Sequence, residues 1–287
     1  MGTQFVHQEH SRATQGGGVR EGTRRSRSAS IATGAFFATS LAVSIVLVAF
    51  TIVFFYSAVT GPSMMATLNA HHETAGNTDS VLVNRFGTIN NGDMIVTRFY
   101  TPVGENWDSR RGEYYRLYIK RVIGIPGDSI YFERIPNQQT RLGVRSLYNI
   151  WVNGVLLDES EYLHPHYGQN LFLGHIHDFL HGRVPVGEHR RFQYFEPFIR
   201  YVHYPNGITH TDGSFHFRRR EIVLPQGFIF YLGDNRGRSH DSSDFGPQRI
   251  EYVMGVVSEI IGDNTSLPGW VWGRFWDIVL FRWVWGN

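Results

Sequence analysis

From Ser28 to His72 the chain carries no charged residue, and the part from Ile31 to Ser57 is almost wholly apolar. Wound as a helix, that apolar part is roughly 40 Å long, enough to follow a tilted path through a ~30 Å hydrocarbon core. Arg20, Arg24, Arg25 and Arg27 lie on its amino side, with none close behind it. That asymmetry predicts a cytoplasmic amino terminus and an outward-facing remainder. A cleaved signal peptide has a shorter apolar core, of about 7–15 residues. The expectation is therefore a retained transmembrane helix over 29–58, preceded by a polar, glycine-rich, disordered tail over 1–28.

Beyond the span the pattern changes to short alternating runs broken by glycine and proline, which predicts a β-rich domain over 59–266. The runs are Ser80–Phe86, Met94–Tyr100, Tyr114–Gly124, Ser129–Glu133, Asn149–Val152, Phe228–Leu232 and Glu251–Ile261. Ile125-Pro126-Gly127-Asp128 has the chemistry of a tight turn, with proline presetting one corner and glycine free to take the left-handed one. Residues 135–220 are less regular and rich in histidine, arginine and aromatics, as an inserted subdomain would be. The last stretch, 267–287, holds Trp270, Trp272, Trp276, Trp283 and Trp285 and is interrupted by Arg274, Asp277 and Arg282. It is too short and too charged for a second span. Tryptophan of this density suits the membrane interface, and it equally suits packing against the β domain.

The absence of cysteine removes disulfides, thiol catalysis and cysteine zinc sites. A formal charge of +2, with no clustered basic stripe, gives no nucleic-acid footprint. The make-up of the basic residues is more informative. Of 27, one is lysine, Lys120, and the other 26 are arginine. Arginine does not deprotonate in a protein, whereas a buried lysine can. In Leu117-Tyr118-Ile119-Lys120-Arg121-Val122-Ile123, strand alternation puts Lys120 on the face of Tyr118 and Val122, where desolvation lowers its pKa. Bringing a lysine from about 10.4 to about 7–8 takes roughly 4 kcal/mol against the charged form, within reach of a buried site. Arg121 points to the other face and needs a partner of its own.

Ser63 lies in Gly61-Pro62-Ser63-Met64-Met65, just past the outer end of the span. Proline fixes the backbone approach and glycine permits close passage of a substrate chain, which makes Ser63 a candidate nucleophile at the membrane surface. A third element, Gly233 to Ser243, is a dense polar loop directly after an apolar strand. It could supply hydroxyl and carboxylate groups to position Lys120.

Taken in order, Gly61–Leu68, Gly92–Arg98, Tyr118–Asp128 and Gly233–Gly246 resemble the bacterial type I signal peptidases, or leader peptidases. The resemblance implies a mainly β fold: an N-terminal transmembrane helix, then a signal-peptidase-type catalytic domain with its inserted subdomain. It implies a Ser/Lys dyad that removes signal peptides from exported preproteins, cutting after small residues, without metal or cofactor. By position, Ser63 would be the nucleophile and Lys120 the base. Ser239 would supply the hydroxyl that orients the lysine, and Met64 would line the substrate groove. Arg121, Asp234 and Asp241 would be structural supports. The chain departs from the pattern at Ala66, where proline is usual, and at Ser243, where an arginine that would pair locally is expected. It also has Gly61 where some members carry a serine that assists the oxyanion hole, leaving that hole to the Ser63 backbone N–H and its neighbours. The implied partners are preproteins and a lipid bilayer, and the implied location is a bacterial plasma membrane, single-pass.

Rival readings are weaker. His177 and His181 are four apart, and the pairs His164/His166 and His175/His177 two apart, but no His-Glu-x-x-His motif is present; His72-Glu73 lacks its second histidine. Solvated histidines in the insertion are the expectation. There is no Gly-x-Ser-x-Gly elbow. A self-cleaving repressor with the same dyad would be soluble and DNA-binding, against the span. A membrane-tethered, non-catalytic β-domain binding module is the alternative of another class, and it leaves the joint survival of all three motif segments unexplained.

Overall fold

The apolar run is helical over most of its length but not all of it. The computed structural model describes residues 18–65, 67–69, 78–140, 142–163, 169–183, 192–262 and 269. Expectations for residues 1–17, Ala66, His72, Glu73, His164, His166 and, but for Gly269, the 267–287 segment lie outside these. The chain divides into two units, Met1–Ile52 and Val53–Asn287. The first contains nearly all of helix α1, Gly18–Val53. Within it Ile31–Val53 is long and apolar enough to cross a membrane, with a mean hydropathy of 2.5.

Both ends of α1 differ from expectation. It begins at Gly18, inside the stretch read as a disordered tail, because adding residues to an existing helix costs far less than nucleating one. It stops at Val53, short of the expected 58, and Phe54–Ala58 forms strand β1. Phe54-Phe55-Tyr56 favours a pleated surface, and β2 (Ser80–Asn84) lies antiparallel to it in register from Phe54↔Asn84 to Ala58↔Ser80.

The second unit is mainly β. Its first sheet adds β3 (Met94–Thr101), β4 (Asn106–Asp108), β5 (Glu113–Gly124), β11 (Phe228–Leu232), β12 (Gln248–Arg249) and β13 (Val253–Ile261). The order is β1-β2-β13-β3-β5-β11-β12, with β4 also on β5. The expected turn closes β5: Asp128 N–H donates to Ile125 O at 3.0 Å, and Gly127 takes φ +99°. The second sheet holds β6 (Ser129–Thr140), β7 (Gly143–Val152), β8 (Val155–Leu156), β9 (Ile199–Thr209) and β10 (Phe215–Val223), in the order β8-β7-β6-β10-β9. It takes in the 135–220 stretch that read as irregular. The long hairpin β9/β10 hides its strands from sequence patterning because it pairs Arg218 with His203 and Arg220 with Tyr201 rather than alternating apolar residues. Helix α2, Gly174–Leu180, packs Ile176 and Leu180 into the aromatic core of this sheet, beside Phe132, Phe195 and Ile222.

Two smaller apolar clusters frame the first sheet. One gathers Val59, Met64, Leu68, Val81, Val83, Val96 and Ile119 beneath the Ser63 turn. The other gathers Ile95, Val122, Ile229 and Tyr231.

Candidate active site

Residues Pro62–Met64 form a single 3-10 turn just after β1, with Gly61 extended ahead of it and Met65 N–H closing on Pro62 O at 3.2 Å. Proline suits the first position because its missing N–H has no acceptor there. Met64 and Leu68 point inward and are fully buried, so the turn is pinned by its apolar residues and Ser63 is left facing outward. Met64 therefore does not line the substrate groove; its side chain is core. A second clamp holds the turn from above. Asn235 donates its backbone N–H to Ser63 O and its Nδ2 to Pro62 O, each at 3.0 Å. A third closes the far side, where Asn69 Nδ2 donates to Val59 O at 2.8 Å and Asn69 and Asp79 exchange backbone-to-side-chain bonds.

Lys120 sits on β5 with 3 % of its surface exposed. Its Nζ lies 2.8 Å from Ser63 Oγ and 3.1 Å from Ile119 O, with the Tyr118 ring centroid 4.9 Å away. Burial pulls the amine from its ordinary 10.5 to about 8, opposed by the negative charges of Asp241 and Asp234. At neutral pH an amine so tuned keeps a useful neutral fraction, and its lone pair is within reach of the Ser63 proton.

Arg121, on the opposite face, finds the partner it needed in Asp234. The pair is bidentate, Nε to Oδ1 at 2.8 Å and Nη2 to Oδ2 at 2.7 Å, and Nη1 donates to Gly92 O. Thr67 also donates to Asp234, which is completely buried. Asp241 accepts from Gly233 N–H at 2.8 Å and Ser243 N–H at 3.0 Å, capping the short helix Ser242–Phe245. These backbone bonds hold the loop where Ser243 replaces the expected arginine. Gly233 is required there: a Cβ would collide with Ser239 Oγ and with Ser63 O.

Ser239 is thus brought to the site but not into the expected contact. Its Oγ is buried over Gly233 and has no hydrogen-bond partner among the described residues. The Lys120 amine bonds to Ser63 and Ile119 instead. Sequence reasoning also missed Asn235 and Arg236, although both stand in the polar loop it singled out. Arg236 is buried, donates to Gly233 O, and bonds to Glu159 and Asn170, tying the loop to those two residues.

Ser63 and Lys120 open on a cavity of about 300 Å³ whose lining includes Ser57, Gly61, Arg116, Tyr118 and His240. A Cβ on Gly61 would meet nothing within 4 Å. Two strand edges face this space. On β5, β3 covers one edge from Tyr114 to Arg121, so β4 at Glu113–Tyr115 and β11 at Arg121–Gly124 must share the other. Between them, residues 116–120 carry no ladder on that edge among the described residues. Strand β1 ends the sheet, with no further strand on its outer side among the described residues.

The family model described as signal peptidase, peptidase S26, matches residues 32–261. The chain belongs to the signal peptidase family. It is 30% identical over 204 residues to signal peptidase I of Bacillus caldolyticus, a match covering 69% of this chain and 74% of the relative. Against signal peptidase I V of Bacillus subtilis (strain 168) it is 25% identical over 203 residues, covering 70% and 82%. A crystal structure of a signal peptidase I from Enterococcus faecalis V583 aligns at 22% identity and a TM-score of 0.27, covering 60% of this chain and 98% of that one. As a member of this family the chain is a peptidase. His177 and His210 are buried rather than solvated. The one group with ligand-like spacing among the described residues, Glu133, His210 and Asp212, is already engaged. Glu133 accepts from Trp151, Asn149 and Thr211, and His210 faces the Arg219 guanidinium at 2.9 Å.

Proposed function

We propose that this protein is a membrane-bound serine endopeptidase that removes signal peptides from exported preproteins, with Ser63 as nucleophile and Lys120 as general base. The observation that carries the reading is the 2.8 Å approach of a buried amine, tuned to about 8, to a serine hydroxyl beside an open cavity.

The neutral amine takes the Ser63 proton as Oγ attacks the scissile carbonyl carbon, and the ammonium so formed returns a proton to the leaving amine. The ester left on Ser63 is hydrolysed by a water that Lys120 deprotonates in turn. Backbone N–H groups at the Ser63 turn stabilise the oxyanion, since Gly61 brings no hydroxyl. The extended substrate adds as a strand to the open edge of residues 116–120, facing the end of β1. Small side chains before the cut suit a groove whose near wall is Ala58 and Gly61. Ser239, its hydroxyl buried and unbonded, supports the loop that braces Ser63, as do Arg121, Asp234 and Asp241. Helix α1 crosses the bilayer with the arginines inside, and Ser63, ten residues beyond Val53, works on the outer side of a bacterial plasma membrane.

The test is cleavage of a preprotein by detergent-solubilised enzyme, with sequencing of the new amino terminus. Lys120→Arg keeps the charge and loses only the ability to deprotonate, and Ser63→Ala loses the nucleophile. Each is expected to lower the rate by about 10⁴ or more with the fold intact. Substantial cleavage by the arginine variant would sink the base assignment.

A further inference from the structure

The second sheet holds a cavity that the peptidase reaction does not use. It is about 330 Å³ in volume and lies between the carboxyl end of α2 and strands β6, β9 and β10. Its polar lining is His181, Tyr131, His216 and three consecutive arginines, Arg218, Arg219 and Arg220. No acidic residue lines it among the described residues.

The three arginines are not equivalent. Arg219 is spoken for: its Nε donates to Glu221 at 2.7 Å and its other nitrogens face His210 and Tyr204. Arg218 and Arg220 form no ion pair among the described residues. The Arg218 guanidinium carbon stands over the Tyr201 ring, 3.9 Å from its centroid, a cation–π contact that holds the group at the cavity wall. On the opposite wall His181 has a set tautomer. Its Nδ1 faces His177 O at 2.9 Å and must donate there, so in the neutral ring Nε2 accepts from Tyr131 O–H at 3.2 Å.

Unpaired guanidinium groups on one strand repel each other, and an anion between them relieves that repulsion. A planar carboxylate presents two oxygens and suits one fork. Arg218 and Arg220, which line the cavity and form no ion pair among the described residues, offer several N–H donors and suit a tetrahedral group with three acceptor oxygens, for which arginine is a preferred ligand. We propose that this cavity binds a phosphate group, either the terminal phosphate of a lipid headgroup or free inorganic phosphate.

The experiment is calorimetric titration of the full chain in neutral detergent with inorganic phosphate and with dihexanoyl phosphatidic acid; dihexanoyl phosphatidylcholine is the control. Both phosphate ligands are expected to bind more weakly as salt rises. Arg218→Gln and Arg220→Gln are each expected to weaken binding about tenfold, the worth of one charge-assisted hydrogen bond. Cleavage of a short soluble peptide should be unchanged and certifies that the variants fold. Tighter binding of the phosphatidic acid marks a lipid headgroup as the source, and equal or tighter binding of inorganic phosphate marks the free ion. Absence of binding to either, or binding unchanged in the double variant, overturns the proposal. Should the double variant also lose cleavage, wild-type protein treated with phenylglyoxal decides the matter. Phosphate must then protect Arg218 and Arg220 from modification, and equal labelling with and without phosphate overturns the site.

Discussion

The most direct consequence of the dyad geometry is a pH–rate profile with its limb in an unusual place. With Lys120 as the proposed base, the active form is the neutral amine, and burial favours that form, bringing the pKa to about 8 against the opposing charges of Asp241 and Asp234. At pH 7 an amine with that pKa is neutral about 9% of the time, and at pH 9 about 91%. The rate of the chemical step should therefore climb about tenfold between pH 7 and 9 and level off above. An unburied lysine would be neutral only about 0.03% of the time at pH 7, and its rate would still be climbing tenfold per unit at pH 9. The position of the limb, rather than its existence, distinguishes the two cases. The assay is single-turnover cleavage of a short peptide from pH 6 to 10.5 at constant ionic strength, so that product release does not mask chemistry. A flat profile from pH 6 to 10, or a midpoint at 10 or above, refutes the reasoning. The same burial has a stability counterpart. Between about 8 and 10.5 the unfolded chain binds the proton that folded Lys120 has released, so stability rises with pH through that window. Below it the charged amine costs the fold about 3 kcal/mol.

Three further outcomes concern the supports of the site. Asp234→Ala leaves Arg121 buried without its bidentate partner and should destabilise the domain by about 3–5 kcal/mol, read as a lowered midpoint of thermal unfolding; an unchanged midpoint would show that Arg121 finds another partner. Met64→Ala empties core directly beneath the nucleophile and should cost about 2–5 kcal/mol, with a fall in kcat beyond what the unfolded fraction explains; a loss below about 1 kcal/mol in denaturant titration would place Met64 outside the core. Asn235→Ala removes the Nδ2 bond to Pro62 O but keeps the backbone bond to Ser63 O, so kcat should drop about tenfold while KM and stability change little; an effect on KM alone would assign Asn235 to substrate binding instead.

Much of this site is legible in the sequence because its chemistry is carried by rare residue choices. A lone lysine among arginines in an apolar strand, a serine behind a proline at the end of an apolar run, and a polar loop after a buried strand are local facts. Seven strands can be read from alternation for the same reason, as period-2 patterning is written residue by residue. Hairpin β9/β10 escaped because its apolar positions, Ile199, Ile208 and Ile222, are separated by arginine paired with histidine and tyrosine, so no regular alternation is written in the sequence. The ends of α1 escaped because hydrophobicity says how far an apolar run extends and not where pairing with β2 outcompetes helix.

The sequence alone determined the membrane-length helix, the β class of the domain beyond it, and the pairing of Ser63 with Lys120 as the groups to bring together. The tertiary structure decided what surrounds them. It put Met64 in the core and not in the groove, gave Arg121 its partner in Asp234, set Asn235 over the nucleophile turn, and laid the Ser239 hydroxyl over Gly233 with no bond to the lysine. These contacts join residues as far apart as 173 positions, from Pro62 to Asn235. A side chain's type sets which bonds it can make; only the closed packing of distant strands sets which partner stands within about 3 Å of it.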